Sequence, residues 1–137
     1  MVFLLTRSPR YFFDLDAIRI PLKNRNDRRL RTSRARSHDP TRPRGKNPGD
    51  VWPYPTRPLR EAHFAAYPIE IPLRCIAAGC RPGGNVLDPF SGAATTGLAA
   101  LQLDRRYIGI DLSRQYATLA KRRLISHRPE LEDAADA

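Results

Sequence analysis

The sequence predicts an α/β fold with an incomplete parallel sheet, preceded by a basic, poorly ordered amino-terminal segment. Two observations carry this reading. Beyond residue 68 the apolar pattern alternates helix, strand, helix, strand, helix, and an aspartate, Asp88 or Asp111, stands at the end of each strand. Such alternation belongs to parallel sheets, which bind ligands at the carboxyl ends of their strands. The charge is also divided: residues 1–46 hold thirteen Lys and Arg against four Asp and Glu, whereas residues 47–137 hold eleven against ten.

Taken in order, Val2–Leu5 and Tyr11–Ile20 contain most of the early apolar side chains, and their periodicity fits either two short strands or one strand and a helical turn. Apolar residues nearly vanish from Lys23 to Lys46, which predicts a mobile basic segment. Asn47-Pro48-Gly49-Asp50 reads as a turn, and the prolines at 53, 55 and 58 keep the next stretch extended and out of a central strand. A largely apolar helix follows over Ile69–Ala78, with Pro72 tolerated in its first turn and Gly79 as its stop.

Arg81-Pro82-Gly83-Gly84 turns the chain into a strand at Asn85–Asp88. Phe90–Gly92 is a turn, Thr95–Leu103 a helix, Arg106–Ile110 a second strand, and Ser113–Ile125 a helix capped by its serine. The tail from Pro129 is acidic and frayed. Three regions result: a basic segment at 1–46, an α/β part at 47–126 and a disordered tail at 127–137.

Composition narrows the function. The chain has 137 residues, 21 of them Pro or Gly, so it holds at most one small domain with a limited core. A basic block beside a nearly neutral one suits a nucleic-acid partner, and charge alone equally allows a solvated linker. Cys75 and Cys80 lack the further Cys or His of a zinc site and read as buried, reduced thiols, which fits a cytoplasmic protein. The apolar opening, Val2–Leu5, is too short for a signal peptide or a membrane span.

The chemistry sits in Val86 to Gly97, followed by Asp111 twenty-three positions after Asp88. A strand that ends in Asp and turns through a glycine into a helix surrounds one crevice with a carboxylate and backbone N–H groups. A carboxylate ending the next strand is placed to accept hydrogen bonds from ribose hydroxyls. Gly92-Ala93-Ala94-Thr95-Thr96-Gly97 lacks the middle glycine of a dinucleotide fingerprint, and Gly97 is followed by Leu98 and Ala99 rather than the Lys and Ser/Thr of a phosphate loop. An ordinary packing turn between strand and helix remains open on these residues alone.

Asp88-Pro89-Phe90-Ser91-Gly92-Ala93-Ala94-Thr95-Thr96 resembles the Asp-Pro-Phe-x-Gly-x-Gly-Thr-Thr motif of DNA adenine-N6 and cytosine-N4 methyltransferases. Tyr107-Ile108-Gly109-Ile110-Asp111-Leu112 resembles that family's ribose-binding strand, and His63-Phe64-Ala65-Ala66-Tyr67-Pro68 the segment that closes over the methionine end of the cofactor. The three pieces stand in the order of the β class. The resemblance covers residues 47–123 and implies a Rossmann-like, S-adenosylmethionine-dependent fold.

Carried over by position, it implies that Phe90, Ser91 and Gly92 border the methionine moiety, with Asp88, Pro89, Thr95 and Thr96 completing the motif. Asp111 would hold the ribose beside Leu112, and His63, Phe64 and Tyr67 would line the opposite wall. Ala94 occupies the place of the motif's second glycine, where a methyl is expected to crowd the cofactor or shift the turn. The arginine-rich segment stands where the family places its target-recognition region, so Arg28, Arg29, Arg31, Arg34 and Arg36 are expected at the phosphates of double-stranded DNA.

The family's catalytic loop, (Asp/Asn/Ser)-Pro-Pro-(Tyr/Phe/Trp), has no counterpart, since the sequence contains no Pro-Pro pair. The expectation is a carboxyl-terminal methyltransferase piece, from a truncated, split or degenerate gene, with no catalytic residue of its own and no metal, and not catalytic alone; a companion chain that supplies the loop stays open as a partner. The exposed edge of so small a sheet is expected to leave it marginally stable or self-associating. A noncatalytic DNA-binding or regulatory remnant and an RNA methyltransferase are the competing readings; the Asp-Pro-Phe form favours DNA over RNA.

Overall fold

The computed structural model describes residues 2–21, 45–54 and 67–127. The regular elements after residue 68 are α1 (Glu70–Gly79), β1 (Asn85–Asp88), α2 (Thr95–Gln102), β2 (Arg106–Gly109) and α3 (Arg114–His127). The alternation follows the sequence pattern, with boundaries within two residues of it. β1 and β2 pair in parallel, Val86 opposite Tyr107 and Leu87 opposite Ile108. Among the described residues they are the whole sheet.

Local chemistry sets these boundaries. Pro72 lies in the first turn of α1, where its missing N–H leaves no helical bond unmade. The turn into β1 places Gly83 at φ 71°, and the Gly84 N–H donates to the Arg81 carbonyl at 2.9 Å. α2 ends in a Schellman motif: the N–H of Arg105 donates to the Ala100 carbonyl at 2.9 Å and that of Asp104 to the Leu101 carbonyl at 3.1 Å. Asp104 takes the left-handed position, φ 55°, that glycine most often fills. Arg105 then reaches the Cys80 carbonyl through Nε and Nη2, at 3.2 and 2.9 Å, tying together the carboxyl ends of α1 and α2.

α2 is the central element and packs against α1, both strands and α3. Ile76, Ala99 and Ala100 form the buried core, with Ile69, Leu73, Val86, Leu103 and Tyr107 around it. Small residues allow this close approach. A Cβ on Gly97 would lie 2.7 Å from the Tyr107 ring, so only glycine lets that ring rest on α2. The opposite face of the sheet is bare: Leu87, Ile108 and Ile110 are 60, 52 and 53 % exposed.

The amino-terminal expectations need correction. Residues 2–5 form no strand and are exposed. In place of a strand over 11–20 there is a single 3-10 turn, Asp16–Ile18, which Asp14 Oδ1 caps by accepting the N–H groups of Asp16 and Ala17 at 3.0 and 3.1 Å. The segment docks on α1 by a bond from the Asp14 N–H to the Ala78 carbonyl at 2.8 Å. Of the two readings the helical turn is found and the strands are not, because tertiary contact takes the place of a ladder. Ile20 and Lys46 form one antiparallel bridge, and in place of the predicted turn at Asn47–Asp50 there is a bend at Asp50, with Gly49 at φ 74° and its N–H donating to Asn47 Oδ1 at 3.2 Å. Cys75 and Cys80 are free, as expected, but only partly buried. Residues 22–44, most of the basic segment, and the tail at 128–137 lie outside the described residues, as do residues 55–66.

Candidate functional site

The carboxyl ends of the two parallel strands lie side by side, Asp88 opposite Gly109, so the turns that follow them meet. Asp88 Oδ1 accepts the Phe90 N–H at 3.0 Å, which folds the turn back on the strand end, and Oδ2 accepts the Thr96 hydroxyl at 2.6 Å. The Thr96 hydroxyl also meets the hydroxyl of Tyr67, which arrives from the segment leading into α1. Three pieces of chain distant in sequence are thereby joined in one hydrogen-bonded row. Burial pushes the Tyr67 phenol above its usual value, aided by the negative charge of Asp88 and opposed by its bond to Thr96.

Residues 91–94 are gripped from β2 and α3. The Ser91 N–H donates to the Ile110 carbonyl at 2.9 Å, and Ser91 Oγ is 2.8 Å from the Tyr107 hydroxyl. The Gly92 N–H donates to Asp111 Oδ2 at 2.8 Å, and a guanidinium N–H of Arg123 in α3 donates to the Ala93 carbonyl. Asp111 Oδ1 accepts the Ser113 N–H at 2.8 Å, opening the turn into α3. The hydroxyl of Ser113 then accepts the Tyr116 N–H at 3.4 Å, a long version of the predicted cap.

Ala94 answers the question raised by its place in the motif. It is fully buried and takes the left-handed conformation, φ 57° and ψ 39°, that a glycine adopts without strain. α2 still starts directly after it, with the Leu98 N–H donating to the Ala94 carbonyl at 3.0 Å. The methyl is buried, and its cost falls on the backbone.

The structure brings Tyr67, Asp88 and Thr96 into one group and Ser91, Gly92 and Asp111 into another, with Phe90 joined to the first through its backbone. Pro89 and Phe90 stand out at the turn, Phe90 at 87 % exposure, and Leu112 is fully exposed. Thr95 is buried in the first turn of α2. His63, Phe64, Arg28, Arg29, Arg31, Arg34 and Arg36 lie outside the described residues.

A cavity of about 330 Å³ lies under α3, with Ser91, Tyr107, Asp111 and Lys121 among the residues that line it. Tyr107 and Arg123 are the positioning residues that sequence reasoning missed. The glycines at 97 and 109 were the available signal for Tyr107, because each leaves room for its ring. Among the described residues no cluster of His, Cys, Asp or Glu fits a metal ion, and no helix is long and apolar enough to cross a membrane.

Comparison with known proteins sets this geometry in context. The sequence profile of the family described as DNA methylase matches residues 1–122. The chain is 38% identical over 127 residues to the Type II methyltransferase M.SmaI of Serratia marcescens, a match covering 93% of this chain and 38% of that protein. It is 37% identical over 123 residues to the Type II methyltransferase M.Cfr9I of Citrobacter freundii, covering 90% of this chain and 35% of that one. Among solved structures, M1.HpyAVI aligns with a TM-score of 0.42 at 39% identity, over 43% of this chain and 30% of the other. The chain thus spans little more than a third of the length of the curated relatives it matches.

Proposed function

The chain belongs to the DNA methylase family, and from that premise we propose that residues 47–126 are the S-adenosylmethionine-binding part of an amino-group DNA methyltransferase acting on adenine N6 or cytosine N4. The observation that carries this reading is the bond from the Gly92 N–H to Asp111 Oδ2, which joins the turn after β1 to the carboxylate after β2. A ligand with a charged amino-acid end and a ribose fits such a wall. Each oxygen of Asp111 accepts one backbone N–H and keeps a further lone pair for a ribose hydroxyl. In this reading Phe90, Ser91 and Gly92 border the amino-acid end and Tyr67 lines the opposite wall, to which the resemblance also assigns His63 and Phe64.

S-Adenosylmethionine supplies the transferable methyl on a sulfonium. The chain's own residues bind and orient: Asp88 holds the turn through the Phe90 N–H, and Arg123 holds the Ala93 carbonyl. Holding the target amine in line with the methyl needs a flipped base and a Pro-Pro loop. The sequence has no Pro-Pro pair, so in this reading the loop comes from polypeptide outside these 137 residues, in a cytoplasmic methyltransferase. Arg28, Arg29, Arg31, Arg34 and Arg36 serve as contacts to the phosphates of double-stranded DNA.

Calorimetry of the purified chain with S-adenosylmethionine tests the cofactor reading. Saturable one-to-one binding is expected; a chain shown by circular dichroism to be folded but giving no heat with the ligand would leave the noncatalytic remnant as the better account. Binding to an arbitrary duplex tests the basic segment. Contacts to five phosphates give affinity falling with about the fourth to fifth power of salt concentration, and salt-independent binding would remove those arginines from the DNA.

A further inference from the structure

The row formed by Tyr67, Thr96 and Asp88 has a direction. An aspartate carboxylate only accepts hydrogen bonds, so the bond between Thr96 Oγ1 and Asp88 Oδ2 is donated by Thr96. A threonine hydroxyl carries one hydrogen, and here it is committed to Asp88. Toward Tyr67 the same oxygen accepts, so the phenol donates. The Tyr67 oxygen has then no hydrogen to offer a ligand; it also meets the backbone of Thr96, which leaves it one lone pair, and the residue as a whole is 45 % exposed.

We propose that the Tyr67–Thr96–Asp88 row makes Tyr67 an acceptor-only contact for a cationic group of the bound ligand, with Thr96 as the positioning residue that sets this polarity. The inference rests on the S-adenosylmethionine reading above, and that ligand carries two cationic groups, the sulfonium and the α-ammonium. Asp88, one hydrogen bond beyond Thr96, aligns the row so that negative potential lies behind the phenol oxygen. Burial, aided by the charge of Asp88, favours the protonated phenol that this direction of donation requires. An unsupported tyrosine would turn its hydroxyl either way and would not discriminate charge.

The test uses the full chain as wild type, Thr96→Val, Thr96→Ser, Tyr67→Phe and the double variant Thr96→Val/Tyr67→Phe. Three probes are titrated: S-adenosylmethionine, S-adenosylhomocysteine without the sulfonium charge, and methylthioadenosine with neither cation. Thr96→Val and Tyr67→Phe are each expected to weaken S-adenosylmethionine about fivefold, the scale of one hydrogen bond, and to leave methylthioadenosine unchanged. Thr96→Ser restores the affinity, and the double variant binds no more weakly than Tyr67→Phe alone.

A loss confined to S-adenosylmethionine assigns the sulfonium; an equal loss with S-adenosylhomocysteine assigns the α-ammonium. Equal weakening of all three probes, or additive losses in the double variant, would overturn the proposal. A ligand-free readout separates it from the cofactor reading. In the chain labelled with ¹³C at tyrosine Cζ, the resonance removed by Tyr67→Phe should shift in Thr96→Val and return in Thr96→Ser. No shift overturns the row itself. A shift in a chain that binds none of the probes overturns the cofactor reading, and the ligand contact with it, while the row stands.

Discussion

Asp88 and Asp111 end neighbouring strands and use their oxygens alike at first. In each, Oδ1 accepts the N–H two residues on, from Phe90 and Ser113, and so closes its own turn. The second oxygen separates them. Asp88 Oδ2 turns to α2 and, through Thr96, to Tyr67, whereas Asp111 Oδ2 crosses to the backbone of the other turn at Gly92. One aspartate assembles the wall from side chains, and the other staples two loops. Loss of either leaves two donors without an acceptor, but removal of Asp111 also parts the two turns, whereas removal of Asp88 uncouples Thr96 and Tyr67 from the strand end.

The largest expected effect sharpens this contrast. Asp111→Ala should weaken S-adenosylmethionine binding between about tenfold and a hundredfold, since charged hydrogen bonds contribute about 1.5–3 kcal/mol. Asp88→Ala should lower stability by about 1–2 kcal/mol, because the Thr96 hydroxyl and the Phe90 N–H lose their acceptor, and weaken binding only by about the fivefold expected of Thr96→Val. Calorimetry beside urea denaturation of both variants checks the pair, and equal effects on both quantities would break the comparison.

A smaller effect is expected between the two turns. Ala94→Gly removes left-handed strain and should raise stability by up to about 1 kcal/mol, less whatever the buried methyl contributes by contact. A lower melting temperature would show that the methyl outweighs the strain.

The smallest effect is a pH dependence. Burial raises the phenols of both Tyr67 and Tyr107. The folded chain therefore holds these protons more tightly than the unfolded one, whose tyrosines titrate near 10. This stabilisation is complete below pH 10 and is lost as pH rises through the raised values. Urea midpoints at pH 9 and pH 11 should show a shallower fall in Tyr67→Phe and Tyr107→Phe than in the wild type.

Much of the α/β part was legible because its signals are local. Gly83 and Gly84 turn the chain, Ser113 stands at the start of α3, and Asp88 and Asp111 follow short apolar runs that suit strands. Residues 2–20 misled because apolar residues with mixed periodicity fit several structures, and docking against Ala78 at the end of α1 decided among them. The buried thiols expected at 75 and 80 are only partly buried because so small a chain has little interior to offer them.

By itself, the sequence determined the order of elements after residue 68 and the two aspartates at the strand ends, since periodicity and turn chemistry act over a few residues. Tertiary structure decided where the second oxygens of those aspartates go, that Ala94 takes a glycine's conformation with its methyl buried, and that Tyr107 and Arg123 hold the turn between them. Those outcomes depend on distances between groups 8 to 30 residues apart in the chain. Such distances exist only once α2 has packed onto the sheet and α3 has folded back beside it.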